Sequence, residues 1–439
     1  MMNRSSGNRR SAALLLSATL AAPLLTGCGS SGAAPVVVRA SAPATPAPVN
    51  PAQVTATSAA TNAFGLDLLH TLAATPDGAI RNLVLSPSGL ATALSMVLSG
   101  ARGATADELA KALHTDLTPQ QYVLATGALD RRIPPTGGLT LRQADDLWAQ
   151  QGFPFAQAYL ATLAAAFDTG VHTTDFKKDP DGSRQKINEA VEKATDGRIK
   201  DLFNEKQITK DTRLALTDAL YLKAKWVSPF KHEHTSDQPF HRLDGSTPAV
   251  STMRQNSTFR YTEGSGGILG EPWQAVELPY TDSGLAMDLI VPAQGGFAAF
   301  SKALDQARLD QILGGLGERK IDLTLPKFHF DTSNDLSPTL RALGINAAFD
   351  NSADFTGLLG PEAPERLKVG AVVQKATIQV DEDGTVAAAG SGVVMVPGAA
   401  AAPTKAVQLH IDRPFLFLIR DTTSGRPLFL GQVTDPQTR

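Results

Sequence analysis

Glu382-Asp-Gly-Thr-Val-Ala-Ala-Ala389 lies between two segments that have the patterns of β-strands. Upstream, Ala371 to Val380 alternates apolar and polar residues, which predicts a strand with one buried face. Downstream, Pro414 to Arg420 contains a continuous apolar run, which predicts a buried strand. A connection of more than thirty residues inside a compact domain is usually either functional or a sign that the elements were assigned wrongly. Because Ala387 to Gly392 carries no bulky or charged side chain, its composition predicts a segment that can itself pair between two existing strands.

The rest of the chain predicts an α+β domain. Helical patterns at Thr61 to Ala73 and Ser88 to Ser99 precede most of the predicted strands, which include Thr140 to Ala149, Thr212 to Lys223 and Lys368 to Val380. No regular alternation of strand, helix and strand occurs. Large mixed sheets therefore fit the pattern better than a doubly wound parallel sheet.

An ordered series of motifs resembles the serpin family. Glu382 to Thr385, followed by three alanines, is similar to the serpin hinge, and Pro414 to Asp421 with Gly425 to Gly431 resembles the carboxy-terminal serpin signature. Further matches occur in the family's order at Asn82 to Ala91, Ala219 to Trp226 with Pro229 and Phe230, Leu325 to Phe328, and Leu343 to Ile345 with Phe349. The resemblance covers about Thr57 to Pro436. It implies the serpin fold, with mixed β-sheets surrounded by helices and an exposed reactive-centre loop near the C-terminus.

The amino-terminal residues predict an export signal. Arg4, Arg9 and Arg10 precede an apolar stretch from Ala12 to Leu25, which has the charge pattern of a signal peptide and is too short to span a bilayer. Leu25-Thr-Gly-Cys28 resembles a bacterial lipobox, in which the cysteine becomes the lipidated amino terminus. We therefore expect a bacterial cell-surface lipoprotein or an extracellular protein, attached to a membrane through lipidated Cys28.

The expected division of the chain follows from this pattern. Residues 1–27 form the signal peptide, and 28–57, rich in Pro and Ala, lacks the periodic apolar residues of a folded segment and predicts a semi-extended linker. Residues 58–439 form the expected serpin domain.

Composition argues against several kinds of partner. The net charge is −3 with both signs dispersed, which gives no electrostatic case for nucleic acid. The segment from Thr118 to Arg132 carries basic residues only at its end, so binding to glycosaminoglycans is not expected. Cys28 is the only cysteine, so disulfides cannot stabilise the domain. We expect a monomer.

No enzyme motif has the spacing that its chemistry requires. Ser228-Pro-Phe-Lys231 matches S-x-x-K, but the companion motifs of penicillin-recognising enzymes are missing. His232, Glu233 and His234 are crowded, yet they lack the i, i+4 spacing of a zinc-binding helix. We expect no catalytic residue, metal or cofactor.

The resemblance implies a serine protease inhibitor that acts as a suicide substrate. A target protease would attack the loop through its own serine and form an acyl-enzyme. The cleaved loop would then insert into the main sheet and trap the protease before deacylation. The residues expected to form the hinge are Glu382, Gly384, Thr385, Ala387, Ala388 and Ala389.

The position of the scissile bond is less sharply defined. Counting the family spacing from Gly384 favours the bond between Gly398 and Ala399, whereas counting back from Pro414 favours a bond a few residues later, within Met395 to Ala402. Each candidate has a small, uncharged residue before the cut. Such a residue fits the shallow specificity pocket of elastase-like or subtilisin-like proteases.

The resemblance also implies a shutter beneath the main sheet, where serpins place an Asn and a His in hydrogen-bonding reach. The matching positions hold Asp218 and Gln374, with Ser86 as the third member. Because a buried carboxylate is costly without donors, we expect Asp218 either to be well hydrogen-bonded or to have a raised pKa.

Two other functions stay open from the sequence. A non-inhibitory serpin would keep the fold and act as a binding or structural protein. An anchored structural lipoprotein would carry the motifs incidentally. The small residues of the hinge favour inhibition over a non-inhibitory serpin.

Overall fold

A computed structural model of the chain describes residues 36–42, 45, 48–133, 139–265, 272–385 and 406–437. The α-helices are α1 Pro51–Ala73, α2 Pro76–Ile80, α3 Pro87–Leu98, α4 Gly103–Ala112, α5 Pro119–Asp130, α6 Gln157–Phe167, α7 Pro180–Ala194, α8 Phe297–Ala303, α9 Gln306–Gly314 and α10 Ser337–Ala342. Short 3-10 helices occur at His232–His234, Ala347–Phe349 and Thr356–Leu358. Within these described ranges, no helix combines the length and the apolar composition needed to cross a membrane.

The strands are β1 Val36–Val38, β2 Leu83–Leu85, β3 Leu139–Gln143, β4 Asp146–Gln150, β5 Val171–Thr174, β6 Leu214–Lys225, β7 Ser236–Pro239, β8 Ala249–Gly264, β9 Trp273–Pro279, β10 Leu285–Pro292, β11 Gly317–Pro326, β12 Phe328–Asp335, β13 Val369–Val380, β14 Gly384–Thr385, β15 Val407–His410, β16 Phe415–Asp421 and β17 Pro427–Val433. The predicted strand from Thr140 to Ala149 is two strands, β3 and β4, separated at Ala144 and Asp145.

These strands form two mixed sheets. The first, here called the central sheet, has the order β1-β5-β4-β6-β14-β13-β12, and β3 also pairs with β6. The second has the order β15-β11-β8-β9-β10-β16-β17-β2, and β7 also pairs with β8. Both sheets combine parallel and antiparallel pairs, and the helices pack around them, so the predicted α+β class is confirmed.

The helix α3 lies at the centre of the molecule because its sequence is apolar or small on every side. All twelve of its residues are buried. A helix without a polar face must be covered all round. Its N-terminus begins at Ser86, whose side chain accepts a hydrogen bond from the backbone N–H of Gly89 at 3.1 Å. This N-terminus lies beneath the central sheet.

The folded part begins earlier than the sequence predicts, which corrects the boundary of the expected linker at 28–57. Val36–Val38 pairs with β5 at the edge of the central sheet, and α1 already begins at Pro51. The Asn50 side chain caps α1 by accepting from the N–H of Ala52 at 3.0 Å, and proline is well suited to the first turn of a helix. The Pro- and Ala-rich composition of residues 28–57 suggested a tether. The local helix signals at Asn50 and Pro51 lie inside this segment, so composition alone did not reveal the start of α1.

Candidate functional site

The predicted hinge enters the central sheet between β6 and β13. These two strands pair directly and in parallel from Leu214 opposite Val369 up to Tyr221 opposite Thr377. Beyond that point they separate, and β14 lies between them, antiparallel to both. Gly384 and Thr385 therefore already occupy the first two positions of a strand inside the sheet.

Gly384 fits at this point because it has no side chain. A Cβ atom there would lie 2.0 Å from the carbonyl oxygen of Ala224 and 2.9 Å from Cα of Lys225. Both atoms belong to the backbone of β6, so neither can turn aside as a flexible side chain could. The close approach of the two backbones is therefore a reason for glycine at this position.

Thr385 is buried, and its hydroxyl group is hydrogen-bonded to that of Tyr280. Its Oγ1 lies 2.5 Å from the hydroxyl oxygen of Tyr280. The ring of Tyr280 stacks on that of Trp226, with 4.5 Å between centroids and an angle of 12° between planes. Burial raises the pKa of Tyr280 above its ordinary value, so the phenol stays neutral and can donate to Thr385 or accept from it.

A tight turn from Asp381 to Gly384 connects β13 to β14. The Asp381 carboxylate accepts from the backbone N–H groups of Asp383 at 3.1 Å and Gly384 at 3.3 Å. Trp226 binds the same turn, because its backbone N–H donates to the carbonyl of Asp383 and its indole N–H donates to that of Asp381, each at 3.0 Å. These bonds fix the direction in which the chain leaves β13.

Glu382 is the charged anchor of this turn. Its buried carboxylate lies 2.8 Å from the ammonium of Lys327 and accepts a hydrogen bond from Thr235 at 2.7 Å. Nδ1 of His232 lies 3.6 Å away. Burial by itself would raise the pKa of Glu382, but the hydrogen bonds from Lys327 and Thr235 outweigh it and hold the pKa below its usual value.

The predicted shutter residues lie together deeper in the sheet. Gln374 on β13 is directly opposite Asp218 on β6, and both are fully buried. The Gln374 amide donates to Oδ2 of Asp218 and, at 2.9 Å, to the backbone carbonyl of Ser86. Burial raises the pKa of Asp218 to about 7, although the hydrogen bond from Gln374 acts in the opposite direction. Of the two alternatives expected for Asp218, the raised pKa is the one observed, because only Oδ2 accepts a hydrogen bond from Gln374.

Several predicted site residues lie outside the described residues. They are Cys28, Ala387, Ala388, Ala389, Gly398 and Ala399. His232, Glu233 and His234 lie in an exposed 3-10 helix, and no group of three or more His, Cys, Asp or Glu side chains in the described ranges is arranged to hold a metal ion.

The sequence did not single out four residues that complete the site, namely Asp145, Thr235, Tyr280 and Lys327. Each contacts a site residue that is at least 50 positions away in the chain. No local pattern marks such a contact. Only Lys327 had a signal, because it lies in the matched motif Leu325 to Phe328.

Comparisons with known proteins agree with this geometry. A family model described as "Serpin (serine protease inhibitor)" matches residues 59–436. A serpin-like protein of Thermococcus kodakarensis is 34% identical over 86% of this chain and 85% of its own length. The leukocyte elastase inhibitor of Bos taurus is 31% identical over 86% of this chain and 99% of its own length.

Among solved structures, human thyroxine-binding globulin complexed with thyroxine is similar, with a TM-score of 0.76 and 25% identity over 88% of this chain and all of that one. The predicted serpin fold is therefore confirmed. With a family model that spans most of the sequence and with curated relatives aligned over most of their length, the chain belongs to the serpin family, whose members include serine protease inhibitors.

Proposed function

We propose that this serpin inhibits serine proteases as a suicide substrate. The observation that carries the proposal is the position of β14, whose residues Gly384 and Thr385 begin a strand between β6 and β13. The chain that follows Thr385 needs only to continue in the same direction to lengthen this strand. A cleaved loop is free to do so.

The proposed reaction begins with attack by the target's serine. Its oxygen bonds to the carbonyl carbon of Gly398, the peptide bond to Ala399 breaks, and the new amino group of Ala399 leaves with the proton that the protease's histidine received from the serine. The serpin is then joined to the protease by an ester. Insertion of the loop before water attacks this ester would carry the protease away and keep it acylated.

The sheet geometry favours insertion. At present β6 and β13 share a parallel pairing, and the new strand would be antiparallel to each. One parallel ladder is replaced by two antiparallel ladders, and antiparallel pairs are slightly more stable per residue. A strand of about fourteen residues would be roughly 45 Å long, which is enough to span the sheet.

The bond between Gln374 and Asp218 opposes insertion, because it joins the two strands that must separate. In the native form β6 and β13 are therefore joined at Asp218 and Gln374, while at the hinge they are already separated by β14.

Elastase-like or subtilisin-like proteases are the proposed targets. The residues around the proposed bond, from Met395 to Ala402, are small or apolar, and they suit a shallow specificity pocket. A similar protein carries the name leukocyte elastase inhibitor. Both considerations favour the same class of protease.

The test mixes the protein with an elastase or a subtilisin and separates the products on a denaturing gel. A band at the summed mass that resists denaturation is the expected result. Thr385→Arg, which would place a long charged side chain at a buried position of the sheet, should be cleaved without trapping the protease. The exposed Thr423→Arg is the matched control and should trap normally. Clean cleavage of the unmodified protein with full protease activity would contradict the proposal.

The second candidate is a non-inhibitory serpin that binds another molecule. It is kept because a similar structure is that of a globulin complexed with thyroxine. In that case the loop would be cut without a covalent complex, and the uncut protein would retain its binding activity.

We also propose export and lipidation at Cys28. The support is the charged and apolar signal pattern that ends in Leu25-Thr-Gly-Cys28. Cys28→Ser should move the protein from the membrane fraction to the soluble fraction of its native host. An unchanged distribution would contradict lipidation.

A further inference from the structure

Asp145, between β3 and β4, lies directly opposite Asp218. In the antiparallel pairing with β6, Gln143 is opposite Leu220 and Asp146 is opposite Thr217, so the continuous register places Asp145 against Asp218. Side chains directly opposite in such a pair have Cβ atoms about 4.5–5.5 Å apart. Both carboxyl groups therefore lie on one face of the sheet, and this is the face directed to α3.

The two carboxyl groups lack donors on the sides where they meet. Oδ2 of Asp218 accepts from Gln374, but Oδ1 of Asp218 and Oδ1 of Asp145 are both buried and receive no hydrogen bond from any third group among the described residues. Gly89 leaves room for this arrangement, because a Cβ atom there would come within 2.3 Å of Oδ1 of Asp218. Two ionised carboxylates facing each other out of water would be strongly unfavourable. One proton between them satisfies both unpartnered oxygens.

The protonation behaviour of the two groups agrees with this arrangement. Burial raises the pKa of Asp145 well above its ordinary value, and the charge of Asp218 raises it further. Burial also raises the pKa of Asp218 to about 7, while a hydrogen bond from Asp145 acts to lower it. At neutral pH the pair therefore holds a proton, with Asp145 as the donor.

The charged groups around the Asp145 and Asp218 pair have partners of their own. On α5, Asp130 binds Arg426 and accepts from Thr92, and Arg131 follows Asp130 in the chain. On β4, Asp146 lies 3.2 Å from Nε2 of His172 on β5. The remaining neighbours, Gln374 on β13 and the side chains of α3, are uncharged. The negative charges of Asp130 and Asp146 add to the tendency of Asp145 to stay protonated.

We propose that Asp145 is a positioning residue of the shutter: it keeps its proton and donates it to Oδ1 of Asp218, which leaves Oδ2 of the ionised Asp218 to bind Gln374 and hold β6 against β13. A hydrogen bond to an ionised acceptor is roughly twice as strong as a neutral one. No bond is broken in this arrangement, and the proton stays on Asp145. The cavity of about 750 Å³ that Asp145 lines is open to solvent and allows the pair to exchange protons with it.

A pH dependence follows from this arrangement. When the pair takes up a second proton, Asp218 becomes neutral. Its bond to Gln374 is then no longer charge-assisted, and separation of β6 from β13 becomes easier. The same sign follows from linkage: opening removes the Gln374 hydrogen bond that lowers the pKa of Asp218, so the open state binds protons more tightly and acid favours it. Loop insertion should therefore be faster below about pH 7 than above it.

The first test measures the proton directly and does not depend on protease inhibition. At about pH 8 the exposed carboxyl groups are ionised. The infrared spectrum of the native protein should then contain a carboxylic acid C=O band that is lost in Asp145→Asn. Asp218→Asn should keep a band at a shifted frequency, because burial still raises the pKa of Asp145 but its hydrogen-bond acceptor is now an amide oxygen. Asp331→Asn, at an exposed position on β12 of the same sheet, should keep it. A spectrum that is the same in the native protein and both pair variants overturns the proposal.

The second test measures insertion and rests on the proposed function. A synthetic peptide with the sequence Thr385 to Gly398 is added to the intact protein, and its incorporation is followed from about pH 5 to about pH 9. The rate should rise as the pH falls through about 7, by no more than about tenfold per pH unit. In Asp145→Ala, which removes the donor to Oδ1 of Asp218, the midpoint should move to higher pH, whereas Asp145→Asn, whose amide still donates, should keep the native midpoint.

The outcomes of the two tests separate the two proposals. An unchanged midpoint in Asp145→Ala, or the same shift in Asp331→Ala, overturns the role of Asp145. If the peptide enters no variant at any pH, the proposed loop insertion fails, and the infrared band still decides whether the carboxyl pair holds the proton.

Discussion

Gly384 on β14 lies so close to Ala224 on β6 that a Cβ atom would approach the Ala224 carbonyl oxygen to 2.0 Å. The hinge can therefore occupy the gap between β6 and β13 only if this residue is glycine, or if β6 moves. The glycine of the hinge motif is thus the residue that allows β14 to lie between β6 and β13.

Replacing Gly384 with alanine should expel the hinge from the sheet. Because the clash is with backbone, insertion of the cleaved loop should start later, and more inhibitor should be consumed as substrate for each protease trapped. We expect the stoichiometry of inhibition to rise several-fold. Gly317→Ala on β11 is the control, since its added Cβ would meet no atom within 4 Å. Equal stoichiometries for the two variants would contradict this explanation of Gly384.

The hydroxyl pair of Thr385 and Tyr280 predicts a non-additive pair of mutations. Thr385→Val and Tyr280→Phe each leave one buried hydroxyl without its partner, which costs about 1–3 kcal/mol of unfolding free energy. The double variant removes both hydroxyl groups and should lose less than the sum of the two. Urea unfolding of the four proteins measures the coupling, and additive losses would show that the hydroxyl groups act separately.

Glu382 should make the stability of the native form sensitive to acid. Its pKa is lowered in the folded state, so its contribution is complete above the unfolded pKa near 4.3 and is lost as the pH falls through the lower folded pKa. At neutral pH, Glu382→Gln should destabilise the protein by about 1–2 kcal/mol, because Lys327 loses its charged partner. This difference should shrink as the pH falls below about 4.

The exposed Glu233, which lies 3.7 Å from Lys231, provides the matched control for Glu382. Glu233→Gln should change stability by less than about 0.5 kcal/mol at every pH, as is usual for exposed ion pairs. A pH-independent effect of Glu382→Gln would mean that packing, and not charge, explains its contribution.

The strand β1 should protect the edge of the central sheet. Val36–Val38 pairs with Val171–Thr173, and Thr173 donates its hydroxyl hydrogen to the carbonyl of Val36 at 3.0 Å. A chain that begins at Arg39 should exchange those amide hydrogens of β5 that face β1 at least about tenfold faster, because β5 then keeps its pairing with β4 but not with β1. The opposite edge strand, β12, serves as the internal control within the same experiment. Equal exchange in the long and short chains would show that β1 does not protect this edge.

The prediction of the fold from the sequence succeeded where the signals were local. The period-two alternation of Ala371 to Val380 predicted β13, and the apolar run after Pro414 predicted β16. The family resemblance supplied the order of the elements and brought Ser86, Asp218 and Gln374 to attention. The linker boundary was placed too late because the helix signals at Asn50 and Pro51 lie in a segment whose composition resembles a tether.

The candidate site was only partly predictable. The hinge residues Glu382, Gly384 and Thr385 could be named from the sequence, but their partners could not. Lys327, Thr235 and Tyr280 reach them from other strands and loops, and Asp145 reaches Asp218 through the register of β3 and β4 against β6. Register is set by the packing of whole strands, so the few residues around each contacting side chain do not predict which residue lies opposite.

The sequence by itself determined the kind of fold and the presence of Asp218 and Gln374 where the family resemblance implies an Asn and a His. Each of these depends on residue type and order along the chain. The tertiary structure alone decided that Gly384 and Thr385 already lie between β6 and β13, and that Asp218 faces a second carboxyl group. Both depend on which backbones approach each other across the sheet, because close contact and burial change what a glycine permits and whether an acid keeps its proton.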